Sequence, residues 1–74
     1  MPFVNVQTIK GIMNTDQKNE LLRRMTDLIV EIEGKGAPEF RSSVWIRIDE
    51  HEPEQWVAGG KKLTSEMIAA KLAS

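Results

Sequence analysis

The feature that most constrains the fold is one long amphipathic helix pattern in the middle of a chain of 74 residues. Asn14, followed three residues later by Gln17, matches a capping box, and Asp16 lies in the first turn, where negative charge suits the helix dipole. We expect Gly34 to form the C-terminal cap. The apolar residues fall on one stripe at helical spacing and predict a helix with one buried face: Leu21, Leu22, Met25, Leu28, Ile29 and Ile32.

Alternating segments flank this helix pattern on both sides. Residues 3–9 place Val4 and Val6 on one face, and residues 43–49 do the same with Val44, Ile46 and Ile48. A period of two is typical of strands, so the order predicts a β-α-β unit with parallel strands and a right-handed crossover. The aliphatic faces of both strands would then cover the helix stripe.

The second face of this small sheet has no partner within the chain. It would carry the remaining side chains of both strands, which are Phe3, Asn5, Gln7, Trp45 and Arg47. Two parallel strands and one helix are not stable alone, and two aromatic side chains would face water. We therefore expect a homo-oligomer that covers this face.

The rest of the chain predicts smaller elements. Residues 50–62 are typical of a loop or short hairpin, because a polar run leads to an exposed Trp56 and then to the Gly59-Gly60 turn. A short helix follows from Thr64, its cap, to Ser74. The predicted fold class is α/β (α+β), with one domain over residues 1–74: a β-α-β subunit, a C-terminal hairpin and a short helix with the stripe Leu63, Met67, Ile68 and Leu72.

Composition excludes several classes of function. Ten basic and eleven acidic residues give a formal net charge of -1, so we expect no nucleic-acid partner and no anionic membrane. The absence of cysteine excludes disulfides and thiolate metal sites. Neither a long apolar run nor a signal-peptide pattern occurs, which predicts a cytoplasmic protein. So short a chain forms only a marginal core by itself, which again favours association.

Pro2 is the candidate catalytic residue. Removal of the initiator Met1, which the small Pro2 favours, would leave a secondary amine at the mouth of the first strand. An ordinary α-amino group titrates near ~8, and desolvation disfavours its charged form, so a neutral amine that acts as a base is accessible near pH 7. With Met1 retained, the Pro2 nitrogen would be an amide and no base would exist.

Two arginines are candidate substrate-binding residues. Planar guanidinium groups bind carboxylates bidentately, so Arg41 and Arg47 are suited to orienting an organic acid. The alternative for both is a surface ion pair with Asp49 or Glu39.

Two tryptophans are candidates for the walls of a site. Trp45 and Trp56 would enclose a small apolar pocket, and packing in an oligomer interface is a compatible alternative.

Other kinds of site have weak support. The acidic run around His51 has the spacing of a solvated turn, so we expect no metal there. No serine lies in a Gly-x-Ser-x-Gly context, and the glycine-lysine stretches near residues 34–36 and 59–62 lack the spacing of a phosphate-binding loop.

Taken together, these residues resemble the 4-oxalocrotonate tautomerase family. The resemblance spans residues 2 to about 64 and rests on the order of several motifs: the Met-Pro start on a strand, Gly11, Asn-Thr-Asp-Gln-Lys at 14–18, Ala37-Pro38 before Ser43-Val44, and Trp-x-x-Gly-Gly at 56–60. It implies β-α-β subunits that pair into dimers, often assembled into hexamers as trimers of dimers. It also implies that Pro2 acts as the base in moving a proton along a dienol or keto-enol system, without a cofactor or a metal.

Two positions depart from the family pattern. Members carry one arginine after the glycine that follows the first strand and another on the second strand, and the two bind a dicarboxylate. Ile12 and Trp45 occupy these positions here. We expect Arg47, on the same strand face, to replace the second arginine, and Arg41 to reach in from the preceding turn. Trp56 corresponds to the phenylalanine that keeps the family's pocket apolar.

The expected function is therefore a cofactor-independent tautomerase that acts on a small enol or 2-oxo carboxylic acid, with Pro2 as the base. One alternative keeps the fold but is a hydratase or decarboxylase, in which protonated Pro2 is the acid and Asp49 or Glu50 activates water. A second alternative is a noncatalytic oligomeric subunit, which the missing arginines favour.

Overall fold

The computed structural model describes residues 2–73, so the processing of Met1 and the last residue of the predicted C-terminal helix lie outside the described residues. The elements in chain order are β1 (Phe3–Ile9), α1 (Thr15–Ile32), a first 3₁₀ turn (Pro38–Ser43), β2 (Trp45–His51), a second 3₁₀ turn (Pro53–Gln55), β3 (Val57–Ala58), β4 (Lys61–Lys62) and α2 (Ser65–Ala73). Between residues 2 and 73, neither helix is long and apolar enough to cross a membrane.

The first two strands form the parallel pair that the sequence predicts. Their register runs from Phe3 opposite Trp45 to Ile9 opposite His51. The strand predicted at residues 43–49 begins and ends two residues later, at Trp45 and His51. The reason is local: the Val44 N–H donates to the Arg41 carbonyl over 3.2 Å, which closes the 3₁₀ turn and holds Ser43 in it.

The two faces of this sheet differ as predicted. Val4, Val6, Ile46 and Ile48 are half-buried, whereas the alternate residues Phe3, Asn5, Gln7, Trp45 and Arg47 are exposed. Because α1 covers only one side of the sheet, the side chains of Phe3 and Trp45 remain 59% and 57% exposed. The open face is therefore aromatic at its amino end and polar along its middle.

Helix α1 begins with the predicted capping box. The Asn14 side-chain oxygen accepts from the Gln17 N–H over 2.8 Å, and the Gln17 side-chain oxygen accepts from the Asn14 N–H over 2.9 Å. Two members of the predicted apolar stripe are not covered, because Leu28 is 50% and Ile32 69% exposed. A helix about 10 Å wide overhangs two strands that lie about 4.8 Å apart, so this sheet is too narrow for the whole stripe.

Gly34 has a different role from the predicted cap. The positive φ angles after the helix belong to Lys35 (54°) and Gly36 (79°), and Gly34 is not among the residues with positive φ. Instead, a Cβ atom at Gly34 would lie 2.7 Å from the ring of Phe40. The glycine is needed because the Phe40 ring packs against the backbone at this point.

The C-terminal third contains the predicted hairpin and short helix. β3 and β4 pair antiparallel around Gly59 and Gly60, whose φ angles of 61° and 82° fit a two-residue turn of the kind that matches strand twist. The Thr64 hydroxyl accepts from the Met67 N–H over 3.2 Å and so caps α2, as predicted.

The subunit lacks a closed core. Among residues 2–73, Pro53 alone is buried, and no member of the apolar stripes reaches that level. The radius of gyration is 15.5 Å, whereas a compact chain of this length has about 11 Å. The subunit is an elongated body of 44 × 24 × 16 Å with large apolar side chains at its surface.

Candidate active site

Pro2 lies half-buried immediately before β1. Its carbonyl oxygen accepts a hydrogen bond from the Trp45 N–H over 3.1 Å, which extends the β1–β2 ladder by one residue. The backbone of Pro2 is therefore attached to the amino-terminal end of the sheet, next to the pair formed by Phe3 and Trp45.

An open cavity of about 490 Å³ adjoins this edge and is lined by Phe3, Val44, Trp45, Ile46 and Arg47. We call it the amino-edge cavity. It brings together two of the four predicted binding residues, Trp45 and Arg47, within two residues of each other on β2. The cavity thus combines aromatic walls with one guanidinium group. Pro2, the predicted base, is not among its lining residues but is bonded to Trp45 and adjacent in sequence to Phe3, which are.

Arg47 forms the ion pair with Asp49 that was predicted as the alternative to a substrate-binding role. Its Nε donates to the Asp49 carboxylate over 2.8 Å. This hydrogen bond, joined by one from the Asn5 side chain, lowers the pKa of the Asp49 carboxyl below its ordinary value. A guanidinium group has five N–H donors, and the bond to Asp49 uses the one on Nε. Arg47 is therefore oriented by Asp49 while its terminal nitrogens are suited to bind a carboxylate.

Arg41 is placed differently from the prediction. Its Nη1 donates to the carboxylate of Asp27 on α1 over 2.7 Å, so its ion pair is neither with Asp49 nor with Glu39. Arg41 is not among the residues that line the amino-edge cavity. Within one subunit it ties the first 3₁₀ turn to the helix.

Trp56 lies at the opposite end of the sheet from Pro2. Its ring stands edge-on to that of His51, with the centroids 5.9 Å apart and the planes at 71°. His51 pairs in register with Ile9, and seven residues of strand between Pro2 and Ile9 span about 23 Å. One subunit does not bring Pro2 and Trp56 together. Nor is Trp56 exposed as predicted, because packing against His51 leaves it half-buried.

A second cavity at this end of the sheet was not predicted from the sequence. It has a volume of about 250 Å³ and is lined by Gln7, His51, Gln55 and Trp56; we call it the carboxyl-edge cleft. The Gln55 side-chain oxygen accepts from the Glu52 N–H over 3.1 Å, which orients its amide. The Trp56 Nε1 is buried and has no hydrogen-bond partner in the part of the chain that the structure describes. The strand register that places Gln7 and His51 on one face was the available signal.

The two carboxylates that the hydratase alternative would use to activate water, those of Asp49 and Glu50, are both hydrogen-bonded to cationic side chains. Asp49 is bound to Arg47 and lies opposite Gln7, five residues from Pro2 and thus about 17 Å along the strand. Glu50 accepts from Lys18 on α1 over 2.7 Å, on the helix side of the sheet. Across residues 2–73, no group of three His, Cys, Asp or Glu residues could hold a metal ion.

Comparison with known proteins agrees with this fold. The sequence profile of a family described as "Tautomerase enzyme" matches residues 2–66. The chain is 34% identical over 64 residues to a probable tautomerase of Dickeya dadantii (strain 3937), an alignment that covers 86% of this chain and 90% of that protein.

Two crystal structures are similar in fold. DmpI from Helicobacter pylori is 27% identical, with a TM-score of 0.69 over 82% of this chain and 94% of that one. YwhB, a homologue of 4-oxalocrotonate tautomerase, is 24% identical, with a TM-score of 0.70 over 82% of this chain and 92% of that one, and this likeness shows the fold alone. The profile match over most of the length, together with the Dickeya relative, shows that the chain belongs to the tautomerase family.

Proposed function

We propose that the protein is a cofactor-independent tautomerase of small enol or 2-oxo carboxylic acids, with Pro2 as the general base. Membership of the family supports a tautomerase-type activity and hence an isomerase. The observation that carries the proposal is the position of Pro2, which accepts from the Trp45 N–H and directly precedes Phe3; Trp45 and Phe3 both line the amino-edge cavity.

The chemistry follows from the groups at this edge. Once Met1 is removed, the neutral Pro2 amine takes the proton of the enol hydroxyl and becomes a secondary ammonium, while an enolate forms on the substrate. The ammonium then returns the proton to C3, which completes ketonisation with no net change in the enzyme. Arg47 orients the substrate carboxylate, and Trp45 helps to exclude water. Desolvation of an amine disfavours its charged form, and a base with a pKa near the ambient pH is the most effective.

The proposed site is completed by a second copy of the chain. The sheet contains only β1 and β2, so both strands have a free edge. When two copies pair along these free edges with their strands antiparallel, the Pro2 end of one sheet lies beside the Trp56 end of the other. Trp56 of the second copy then reaches the Pro2 site that it cannot reach within its own subunit. We propose a dimer, or three such dimers in a hexamer, as the active form.

The test is the rate of ketonisation of phenylpyruvate enol by protein whose mass shows that Met1 has been removed. Pro2→Ala should lower kcat/KM by roughly 10²–10⁴-fold, the usual contribution of general acid–base catalysis. A protein that keeps an N-terminal tag should lose turnover as well, because its Pro2 nitrogen is an amide.

Pro38→Ala is the matched control, since it removes a proline from the start of the first 3₁₀ turn and should leave the rate within about twofold of the original. Equal turnover in the original protein and in Pro2→Ala would refute the proposal and favour a noncatalytic subunit.

A further inference from the structure

We propose that the carboxyl-edge cleft is an oxyanion subsite, in which His51 donates a hydrogen bond to the enolate oxygen of the substrate. This inference rests on the proposed function. It assigns the stabilisation of negative charge on the substrate oxygen, a role that was not given to Pro2, Arg47 or the two tryptophan rings. Removing a proton from an enol, or from carbon beside a carbonyl, places negative charge on an oxygen. Donors fixed at that oxygen before the reaction are commonly the largest single contribution to the rate.

Every residue that lines the cleft carries at least one side-chain N–H donor. The Gln7 and Gln55 amides, the His51 imidazole and the Trp56 indole line it, and a histidine side chain has a donor N–H in either protonation state. The Gln55 amide oxygen accepts from the Glu52 N–H, so the two N–H donors of this amide are not used in that bond. The buried Trp56 Nε1 has no acceptor within residues 2–73, and leaving a buried donor unpaired costs about 1–3 kcal/mol. An acceptor oxygen is the chemical complement of this set.

The donors are also held in place. The His51 and Trp56 rings are in edge-to-face contact, 5.9 Å between centroids, and the Lys10 N–H donates to the His51 carbonyl over 2.8 Å. His51 is therefore fixed by its backbone and by its ring, which is the preorganisation that oxyanion stabilisation requires.

The charges around the cleft do not repel an anion. Each acidic residue next to His51 on the chain has a cationic partner: Asp49 with Arg47 at 2.8 Å, Glu50 with Lys18 at 2.7 Å and Glu52 with Lys10 at 3.3 Å. The arginines are paired too, whereas His51 has no ion pair among the described residues. The cleft thus offers hydrogen-bond donors to the oxygen on which the enolate charge forms, while Arg47 binds the substrate carboxylate.

Size and position agree with such a role. Sites for whole ligands usually measure about 300–1,000 Å³, so a cleft of about 250 Å³ suits one end of a substrate rather than all of it. In the antiparallel assembly the cleft of one subunit faces the Pro2 edge of its neighbour.

Binding of oxalate tests the subsite without turnover, because this planar dianion has the shape and charge of the enolate of pyruvate. His51 is the only histidine of the chain, so its ring proton signals in an NMR spectrum are unambiguous. We expect oxalate to shift these signals and the Trp56 indole N–H signal in a saturable way, in the original protein and in Pro2→Ala. Acetate lacks the second pair of oxygens and should shift neither signal. If oxalate also shifted neither the His51 nor the Trp56 signal, the proposal would be overturned.

His51→Phe provides the kinetic test, because phenylalanine keeps the edge-to-face contact with Trp56 and removes the donor. We expect kcat for phenylpyruvate enol to fall about 10²-fold, as for the loss of one oxyanion donor, while KM changes by less than about threefold. A merely structural role would lower the amount of folded protein and not kcat alone. A kcat within about twofold of the original would refute the oxyanion role. If Pro2→Ala still abolished turnover in that case, the proposed function would remain.

Discussion

At the scale of single residues, Gly34 shows how one side chain excludes another. Its φ is not positive, so the backbone there would accept alanine, but the added Cβ would lie 2.7 Å from the Phe40 ring. Gly34→Ala should therefore lower the free energy of unfolding by about 1–3 kcal/mol, the usual cost of overpacking, as measured by urea denaturation. Combining it with Phe40→Ala, which removes Cγ and the rest of the ring and leaves only Cβ close to the new methyl group, should recover part of this loss. Equal costs of Gly34→Ala with and without the Phe40 ring would show that the clash is not the cause.

The residue scale is also where the sequence was least informative. It predicted Pro2 at the mouth of a strand and the alternative pairing of Arg47 with Asp49, because both depend on neighbours close in sequence. It did not predict that Arg41 would pair with Asp27, fourteen positions away, or that Gly34 would meet Phe40. These contacts depend on how the helix returns to the sheet, which no local pattern encodes.

At the scale of elements, the capping box that begins α1 can be tested directly. Asn14→Ala removes the oxygen that accepts from the Gln17 N–H and should cost about 1 kcal/mol of folding free energy, measured by urea denaturation. Asn19→Ala is the matched control, because Asn19 is exposed inside the same helix and alanine is the better helix former. Equal losses for both variants would show that the box does not determine where the helix begins.

The elements themselves were largely predictable because each has a local cause. Alternation predicted β1 and the capping box predicted the start of α1; the paired glycines predicted the turn between β3 and β4. The error at β2 arose because Ser43 and Val44 continue the alternation but are held by the 3₁₀ turn. The apolar stripe of α1 was too wide for one sheet to cover, since a pattern reports which residues are apolar and not what lies opposite them.

At the scale of the whole molecule, the missing core and the divided site have one explanation. Pro53 alone is buried among residues 2–73, and Pro2 and Trp56 lie at opposite ends of the sheet. The sequence predicted an open face and association, and it also predicted one pocket for Trp45 and Trp56. One subunit cannot form that pocket, because parallel strands place the two rings at opposite edges. Association would supply both the missing burial and the second half of the site.

This explanation predicts that folding depends on protein concentration. If the subunit is stable only when associated as a dimer, a tenfold dilution removes about 1.4 kcal/mol and should lower Tm by several degrees in calorimetry. Trp45→Lys should separate the dimers of a hexamer, because it places a charge on the open sheet face, which pairing along the strand edges leaves uncovered. Leu72→Lys is the matched control, since Leu72 is 56% exposed on α2 and Trp45 is 57% exposed. Sedimentation should therefore show small species for Trp45→Lys and the original assembly for Leu72→Lys. A single Tm over a hundredfold concentration range would contradict folding coupled to association. Intact Trp45→Lys assemblies would mean that the open face is not where the copies meet.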